Sequence, residues 1–433
     1  MKRFFSKLFK PLLVVVCLLT VLTVIASNGI SSNEETTNKN PIIVDHKGQV
    51  IKGDSDKNKP LPTDSKDSVN GDTGKETPVP TTTPEPTTKP ISKDTTNKKV
   101  TLMAVGDDLV HTSVIESGKQ SNGTYNYDHL FTNILNDIKK SDLSVINQET
   151  VLGGKALRFS GYPRFNSPQE IGDAISKAGF NIVLHATNHA MDKGEQGMQN
   201  SINYWKKHKN ITVLGVNETE EEYNNVKVVE SNGIKIAMLN YTYSLNGLPL
   251  PSNRPYMVNM LDEEKIRKDV ALAKQKADFI IVFPHWGTEY VYEPSSSQKR
   301  WTKLFLETGV DLVIGAHPHV IEPVEWLEGE DGHKMLVYYS LGNYVSGQDA
   351  YPRMLGGMAK ITIESKNGEK PTITDASITG LVTQYEKDYS NLQVLKLSDY
   401  TDQLAAKHKI RTMSVSKLKA LAKQVWGDWY KGN

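Results

Sequence analysis

The amino-acid sequence predicts an α/β fold in which a largely parallel sheet is completed by an antiparallel sheet. Apolar runs alternate with amphipathic stretches from Val100 onward, as strands and helices alternate in such folds. A hairpin-like region follows from about residue 320. Polar residues that can bind metals come directly after five of the apolar runs, where ligand sites of open α/β sheets form. The same pattern therefore predicts both the fold class and the place of a functional site.

Seven apolar runs are the predicted strands of the α/β core: Val100–Val105, Leu143–Ile146, Asn181–Leu184, Ile211–Leu214, Ile234–Leu239, Phe279–Phe283 and Leu312–Ile314. Five amphipathic stretches between them are the predicted helices: Tyr127–Lys140, Pro168–Ala178, Gln196–His208, Glu263–Ala277 and Ser297–Thr308. The hairpin-like region supplies the other predicted strands: Val320–Trp326, Met335–Tyr339, Ala359–Glu364 and Thr372–Ile378.

The tail from Gln403 carries apolar residues at helical spacing: Leu418, Leu421, Val425 and Trp429. Such a stripe favours a helix that packs on its own domain over a membrane-surface or partner-binding helix.

The N-terminal 27 residues are typical of a membrane-insertion signal. Four cations precede an apolar run from Leu12 to Ala26, which is the pattern of a secretory signal. The run is close to the length of a spanning helix, and it lacks a good small-residue cleavage site. We therefore expect an uncleaved single-pass anchor in the cell membrane, with cleavage and secretion as the alternative. The positive-inside rule places the rest of the chain outside the cytoplasm.

Residues 28–97 contain no aromatic residue and hold eight of the twenty prolines. Such a composition cannot bury enough apolar surface to offset the entropy of ordering, so a disordered, semi-extended spacer is expected. The predicted organisation is thus an anchor at 1–27, a spacer at 28–97, a folded domain at 98–386 and a C-terminal helical extension at 387–433.

Composition excludes several classes of protein. The 433 residues include 51 Lys+Arg and 50 Asp+Glu, a net charge of +1, whereas nucleic-acid-binding proteins have a marked basic excess. No nucleic-acid partner is therefore expected. The single cysteine, Cys17, excludes a disulfide scaffold and a cysteine-based zinc site.

Five loops after the predicted strands carry the candidate chemistry, and they hold six of the eleven histidines. Parallel strands place their carboxyl ends at one edge of a sheet, so residues distant in sequence converge there. Each loop alone has a structural explanation as a turn, a cap or a hydrogen-bonded histidine. Together they predict a site for divalent metals, and oxygen and imidazole ligands suit Mn, Fe, Zn or Mg. The pattern alone does not select which side chains of these loops are the ligands.

Two carboxylates, an asparagine and three histidines are enough to hold two ions. Two ions about 3.5–4 Å apart can activate water and clamp the oxygens of a displacement reaction. His189 is the predicted general acid, oriented by Asp192. Arg164 and Glu289 are predicted to contact substrate, Arg164 as a clamp for a phosphate or carboxylate. A surface ion pair for Arg164 and a plain surface carboxylate for Glu289 are the alternatives.

Six ordered motifs resemble the bacterial CapA family, also called PgsA, of capsule or poly-γ-glutamate synthesis proteins. They run in order from about residue 100 to 383: Ala104–Asp107, Asn147–Thr150, Ala186–Gly194, His285–Tyr290, Gly315–His319 and Tyr339–Tyr344. The resemblance implies a domain like a calcineurin-like metallophosphoesterase, a four-layer α/β/β/α sandwich. It also implies attachment to the outer face of a Gram-positive membrane, and a role in the synthesis or export of poly-γ-glutamate.

The resemblance further implies how the ligands divide between two metals. Asp107 and His319 would bind the first ion, and Asn188, His285 and His317 the second. Glu149 would lie between the two ions, with His189 as the acid. The chain departs from the phosphoesterase pattern at Leu109, where that pattern has a histidine, and at Glu149, where it has an aspartate.

Three functions stay open at this point. The chain is either a tethered component of a polyglutamate synthesis and export complex, with other capsule proteins as partners, or an active metal-dependent hydrolase of a phosphoester or γ-glutamyl amide. A scaffold with a vestigial metal site is a variant of the first. A generic adhesin on a spacer would explain the tether but not the five loops.

Overall fold

The computed structural model describes residues 97–432. The predicted anchor lies outside these residues, as does all of the predicted spacer but its last residue, and both stay predictions. Within the described part of the chain, no helix is both long and apolar enough to cross a membrane.

The strands, in chain order, are β1 (Lys98–Leu109), β2 (Leu143–Gln148), β3 (Ile182–Leu184), β4 (Thr212–Leu214), β5 (Lys227–Ser231), β6 (Ile234–Thr242), β7 (Phe279–His285), β8 (Leu312–Ile314), β9 (Val324–Glu328), β10 (Lys334–Tyr338), β11 (Asn343–Ser346), β12 (Leu355–Ser365), β13 (Thr372–Gln384) and β14 (Gln393–Lys396). The α-helices are α1 (Thr112–Ser117), α2 (Leu135–Lys139), α3 (Glu170–Ala178), α4 (Gly194–Trp205), α5 (Glu220–Tyr223), α6 (Glu263–Lys276), α7 (Ser296–Thr308), α8 (Asp402–Lys407) and α9 (Val415–Trp426). Short 3₁₀ helices occupy Asp128–Leu130, Thr132–Ile134, Lys155–Leu157, Tyr351–Met354 and Gly427–Trp429.

The strands form two mixed sheets. The first has the order β14-β13-β12-β1-β2-β3-β4, and β11 also pairs with β1. The second has the order β5-β6-β7-β8-β10-β9. In the first sheet β1 to β4 run parallel up to the β4 edge, and the antiparallel strands β12 to β14 extend the sheet on the other side of β1. In the second sheet β6, β7, β8 and β10 run parallel, and β5 and β9 are antiparallel edge strands.

The α/β class is confirmed, but the expectation of one parallel sheet completed by one antiparallel sheet is wrong. Each sheet contains both parallel and antiparallel strands. The late strands β12 to β14 extend the first sheet from β1, and β10 and then β9 extend the second sheet from β8. Local pattern predicts where a strand lies in the chain but not which sheet it joins.

The predicted helix Tyr127–Lys140 is also wrong over most of its length. Two 3₁₀ turns precede α2, which has only five residues. The Asn133 side chain donates a hydrogen bond to the carbonyl of Val394 at 2.8 Å, which ties this segment to β14. Polar side chains that bond to distant backbone in this way compete with regular helix.

Side chains that alternate along the strands of the second sheet pack against different layers on its two faces. Met238 and Phe283 belong to the large core cluster shared with β1 and β2, whereas their neighbours Leu239 and Val282 pack in a second cluster with α6 and α7. Successive side chains of a strand point to opposite faces, so this sheet is buried on both. A sheet covered in this way is held rigidly, and its carboxyl edge positions the loops that follow.

The C-terminal residues pack onto the same core. β14 pairs with β13, and α9 buries Leu418 and Leu421, with Val425 and Trp429 partly buried beside them. The docked helix predicted from this stripe is confirmed.

Candidate metal centre

Strand pairing in the first sheet brings three of the predicted motifs together. Asp107 lies opposite both Asn147 of β2 and Asn343 of β11 in the register of the sheet. Glu149 follows β2 directly, and the loop after β3 begins at His185. Because β1, β2 and β3 are parallel, the side chains after them meet at one edge.

The second sheet supplies the three predicted histidine ligands. His285 is the last residue of β7, and His317 and His319 follow β8. The two loops are joined by a bridge between His285 and Ala316. The carboxyl edges of both sheets therefore face one volume, which a single parallel sheet would not produce.

Gly106 allows the two halves of the site to approach closely. A Cβ atom at this position would lie 1.8 Å from the carbonyl oxygen of Gly342, and the neighbouring Asp107 N–H donates to that same oxygen at 2.9 Å. No side chain larger than hydrogen fits there, so the glycine is required by packing.

Glu149, His317 and His319 form a buried group whose ligand atoms all lie within 4.8 Å of one another, close enough to hold a metal ion. Both carboxylate oxygens of Glu149 are buried without a hydrogen-bond partner, as is Nδ1 of His317. Nε2 of His285 and Nε2 of His319 lie 3.6 and 3.7 Å from Oε1 of Glu149, too far for hydrogen bonds.

The other predicted ligands surround this group. Nδ1 of His319 lies 3.0 Å from Oδ2 of Asp107, and the backbone N–H of His317 is 3.3 Å from both oxygens of Asp107. Nε2 of His285 donates to Oδ1 of Asn188 at 2.9 Å. The structure thus brings together all six predicted ligands. Their individual roles as ligands stay predictions.

Backbone strain accompanies the two histidines after β8. His317 and His319 have φ values of 102° and 57°, in the region that non-glycine residues rarely occupy. Strain of this kind costs about 1–3 kcal/mol per residue and persists where the surrounding structure imposes it, often at functional sites. Here it turns both imidazoles toward Glu149.

Burial and mutual charge set the protonation of the cluster. Burial would raise the pKa of Glu149, but the charge of His319 and the contact with His285 outweigh it and hold that pKa well below its usual range. Burial lowers the pKa of His317, and the charge of His285 lowers it further. Burial would also lower the pKa of His319, yet Glu149 and Asp107 raise it to about 9. The centre thus holds an ionised carboxylate and a neutral imidazole, both of which are forms that ligate metals.

The residues present fit a divalent metal. A carboxylate buried without donors carries a large desolvation cost unless a cation compensates it. Carboxylate, imidazole and amide oxygen are a donor set suited to Mn, Fe, Zn or Mg. The contact between Asp107 and His319 has the form of a carboxylate that orients a metal-ligating histidine.

His189 and Asp192 form a second pair at the edge of the centre. Nδ1 of His189 lies 2.7 Å from Oδ2 of Asp192, which also accepts the backbone N–H of Phe165 at 2.7 Å. Asp192 therefore fixes the ring and leaves Nε2 available. This is the orientation expected for an acid–base histidine.

The two predicted substrate contacts lie at the surface. Arg164 is exposed and lines a cavity of about 800 Å³ together with Asp192 and Lys193. Among the described residues, no carboxylate lies within ion-pair distance of its guanidinium, so the surface ion pair considered as the alternative is not present there. Glu289 is exposed near the mouth of the centre, where its charge contributes to raising the pKa of His319.

Several residues of the centre were not singled out from the sequence. Nδ2 of Asn147 donates to Asp107 at 2.8 Å, and Oδ1 of Asn343 lies 3.1 Å from Nδ1 of His319. Tyr243 packs against the ring of His317 at 4.6 Å. Both asparagines lie within the motifs described above, so the sequence could have pointed to them as residues of the site. Nothing in the sequence indicates that Tyr243 belongs to it.

Two other histidines of the loops do not join the group. Nδ1 of His111 accepts the backbone N–H of Gly347 at 3.3 Å, and Nδ1 of His185 lies 2.9 Å from the carbonyl of Gln148. His111 therefore does not take the place of the histidine that the phosphoesterase pattern has at position 109.

The fold and this site define an α/β protein with a buried carboxylate–imidazole centre at the joint edge of two sheets. The model of the bacterial capsule synthesis protein PGA_cap family matches residues 101–348, more than half of the chain and including every residue of the centre. The chain belongs to that family.

Two curated relatives are also named for capsule or PGA biosynthesis. The chain is 28% identical over 262 residues to the capsule biosynthesis protein CapA of Bacillus anthracis, a match covering 58% of this chain and 61% of that protein. It is 33% identical over 171 residues to the PGA biosynthesis protein CapA of Bacillus subtilis (strain 168), covering 39% of this chain and 43% of that protein. The matched region thus spans less than two thirds of either relative.

Solved structures give looser likenesses. A putative 5′-nucleotidase from Staphylococcus aureus overlaps 76% of this chain and 58% of its own, at 14% identity and a TM-score of 0.41. The NAD nucleotidase of Haemophilus influenzae overlaps 76% of this chain and 67% of its own, also at 14% identity and a TM-score of 0.41. Overlaps this loose do not bear on the fold or the function of this chain.

Proposed function

We propose that this protein performs a metal-dependent hydrolysis or transfer during synthesis of a capsule polymer such as poly-γ-glutamate. Membership of the capsule synthesis family supports the pathway. The observation that carries the chemistry is Glu149, an ionised carboxylate buried without hydrogen-bond donors among His285, His317 and His319. A phosphoester or a γ-glutamyl amide is the bond acted on.

Two divalent ions are proposed to bind in a metallophosphoesterase-like, four-layer framework. Asp107 and His319 would hold one ion and Asn188, His285 and His317 the other, and Glu149 would be a further ligand. Such ions act as Lewis acids that polarise the bond to be broken. The chain's own contribution is to hold the ligands in a buried site that bulk water does not fill, since five of these six side chains are 0–1% exposed and His319 is 3% exposed. His319, whose pKa is raised to about 9, would release its proton when it binds a metal.

His189 would deliver the proton to the leaving group. Its ring is held by Asp192 and packs at 4.6 Å against Phe165. A ring fixed on both sides presents Nε2 in one direction only, and positioned acids of this kind contribute about 10²–10⁴-fold to a rate. Arg164 and Lys193, on the far side of Asp192, would bind an anionic part of the substrate.

This activity would take place on the outer face of the cell membrane, where the N-terminal anchor and spacer would hold the chain. Other capsule synthesis proteins and the anionic polymer would be its partners there. The charge pattern of residues 1–27 supports this orientation.

A polymer-holding scaffold is the second candidate, and Leu109 is the observation that favours it. This residue is buried and apolar where the phosphoesterase pattern has a histidine, and His111 is bonded elsewhere. A site that binds its first metal only weakly would hold the polymer without cleaving it.

Hydrolysis assays separate the two candidates. Full-length protein with Mn²⁺ is tested on bis(p-nitrophenyl) phosphate and on poly-γ-glutamate. An enzyme should lose at least 100-fold in turnover in His189→Ala and in Asp192→Asn, with bound metal unchanged. Asp173→Asn is the matched control, because it alters a surface Asp–His pair with His208. Metal binding without cleavage of either substrate would contradict the enzymatic proposal and favour the scaffold.

A further inference from the structure

A second, larger cavity lies beside the centre and is not explained by the chemistry proposed above. It measures about 960 Å³, near the upper end of the range of small-molecule sites. Its walls come from the segment after β1, which includes His111, and from the loop that joins β13 to β14. The ring of His111 lies 5.3 Å from that of Phe165, and Phe165 lies 4.6 Å from His189. One aromatic side chain therefore separates this cavity from the candidate acid.

The charge of the cavity does not suit a polyanion. Its lining contains no lysine or arginine, but it contains the carboxylates of Glu116 and Asp388. Glu116 has a partner in Lys119 at 3.4 Å, whereas Asp388 has no ion pair among the described residues. Burial lowers the pKa of His111 to about 4, so this histidine adds no positive charge at neutral pH. The carboxylates of a polyglutamate chain would meet like charge here, which disfavours binding.

The lining instead suits a neutral ligand rich in hydroxyl groups. Hydroxyl and amide side chains can both donate and accept hydrogen bonds, and carboxylates accept them from hydroxyls. Tyr162 is 77% exposed and adds an aromatic face on which the C–H face of a sugar ring can rest, whereas the ring of Tyr389 is covered by Nζ of Lys409 and by the ring of Tyr385. The hydroxyl and amide groups of the lining include Thr112, Ser113, Thr132, Ser390, Asn391 and Gln393.

The loop between β13 and β14 is held in an unusual conformation. Asp388, Tyr389 and Asn391 have φ values of 65°, 58° and 53°, which non-glycine residues seldom adopt. Hydrogen bonds close the loop, with the N–H of Glu386 donating to the carbonyl of Ser390 at 2.8 Å, and Nζ of Lys409 lies 3.4 Å above the ring of Tyr389. Strain kept in this way presents the side chains in fixed positions, which lowers the entropic cost of binding a ligand.

We propose that this cavity binds a neutral saccharide next to the metal centre. The position of the saccharide relative to the reaction rests on the proposed function: anionic substrate groups would lie on the Arg164 side of His189 and the saccharide on the His111 side. The binding itself depends only on the cavity.

Saturation-transfer NMR and calorimetry on full-length protein test the proposal, with chitotetraose and maltotetraose as neutral probes and tetra-γ-glutamate as the anionic comparison. We expect at least one neutral probe to bind. The variant Tyr162→Ala should weaken that binding at least tenfold, and Asp388→Asn, which keeps a side chain that tolerates the left-handed backbone, at least threefold. Trp326→Ala, an exposed aromatic on the edge strand β9, is the matched control and should have no effect.

The double variant His317→Ala with His319→Ala separates this proposal from the previous one. It should lose metal but keep saccharide binding, so failure of the metal centre leaves the cavity testable. Absence of binding of both neutral probes to the wild-type chain would overturn the proposal. So would unchanged affinity in Asp388→Asn and Tyr162→Ala, or a preference of the cavity for tetra-γ-glutamate.

Discussion

At the scale of single residues, Glu149 decides the chemistry of the site. A carboxylate that is fully buried and accepts no hydrogen bond is rare in proteins and needs a compensating charge. Three histidines surround it, but none lies within hydrogen-bond distance. The arrangement is therefore poorly suited to a purely structural role and well suited to a bound cation.

Replacing Glu149 by glutamine should abolish stabilisation by metal. A ligand present at 100 times its Kd stabilises the folded state by about 2.7 kcal/mol, so Mn²⁺ should raise the melting temperature of the wild-type protein. Glu149→Gln keeps the shape but removes the charge, and we expect no such rise. The measurement is a thermal melt with and without Mn²⁺. Glu289→Gln is the control with an exposed carboxylate, and it should keep the full rise; a normal rise in Glu149→Gln would count against the centre.

Residue types and spacing predicted much of the site but not its finer contacts. The six predicted ligands converge because each lies at or just after the carboxyl end of a strand, at the shared edge of the two sheets. The contacts of Asn147 with Asp107 and of Asn343 with His319 depend on the register of β1 with β2 and β11, which no local pattern specifies. Tyr243 reaches His317 from the loop after β6, and this contact depends on the placement of the whole second sheet.

At the scale of elements, charged contacts tie the helices to the sheet. Asp137 of α2 is 8% exposed, and its two oxygens each lie 2.6 Å from a lysine, Lys360 of β12 and Lys396 of β14. Burial would raise the pKa of Asp137, but the hydrogen bond from Lys360 and the ion pair with Lys396 hold it below its usual value. This one carboxylate thus links α2 to two strands that the sequence did not place beside it.

Asp137→Asn should lower the free energy of unfolding by about 2 kcal/mol at neutral pH, since hydrogen bonds to charged groups contribute about 1.5–3 kcal/mol. The folded-state pKa lies below the unfolded value of about 3.9, so the contribution is complete above that pH and is lost as pH falls through the folded pKa. Urea unfolding at a series of pH values should therefore show the difference from wild type shrinking below about pH 4.

The exposed pair of Asp128 and Lys177 provides the control for this measurement. Asp128→Asn should change the stability by no more than about 0.5 kcal/mol, as is usual for surface ion pairs. A difference between wild type and Asp137→Asn that stayed constant from pH 7 to pH 2 would show that the charge of Asp137 is not what stabilises these contacts.

The elements themselves were predictable where the apolar pattern was strong. Each of the seven predicted core strands is present, and β1, β6 and β7 extend beyond their predicted ends, into the segments that carry Asp107 and His285. Strands β5, β11 and β14 were missed, because none of them has an apolar run longer than two residues and each is stabilised by pairing with a longer neighbour.

At the scale of the whole molecule, the candidate centre exists because two sheets end at one place. Asp107, Glu149 and Asn188 come from the first sheet and the three histidines from the second, joined by the close approach of Gly106 and Gly342. The prediction of a largely parallel sheet completed by an antiparallel one was wrong, yet the predicted ligands still lie together, since both arrangements place strand ends at a common edge.

The central claim is that this shared edge holds metal, and elemental analysis of the full-length protein tests it most directly. Protein purified without chelator and equilibrated with Mn²⁺, Zn²⁺ or Fe²⁺ is passed through a desalting column and analysed by plasma mass spectrometry. We expect one to two equivalents of metal in the wild-type chain and less than a tenth of that in His317→Ala with His319→Ala. A wild-type protein that keeps no metal, or a double variant that keeps as much as wild type, would contradict the account.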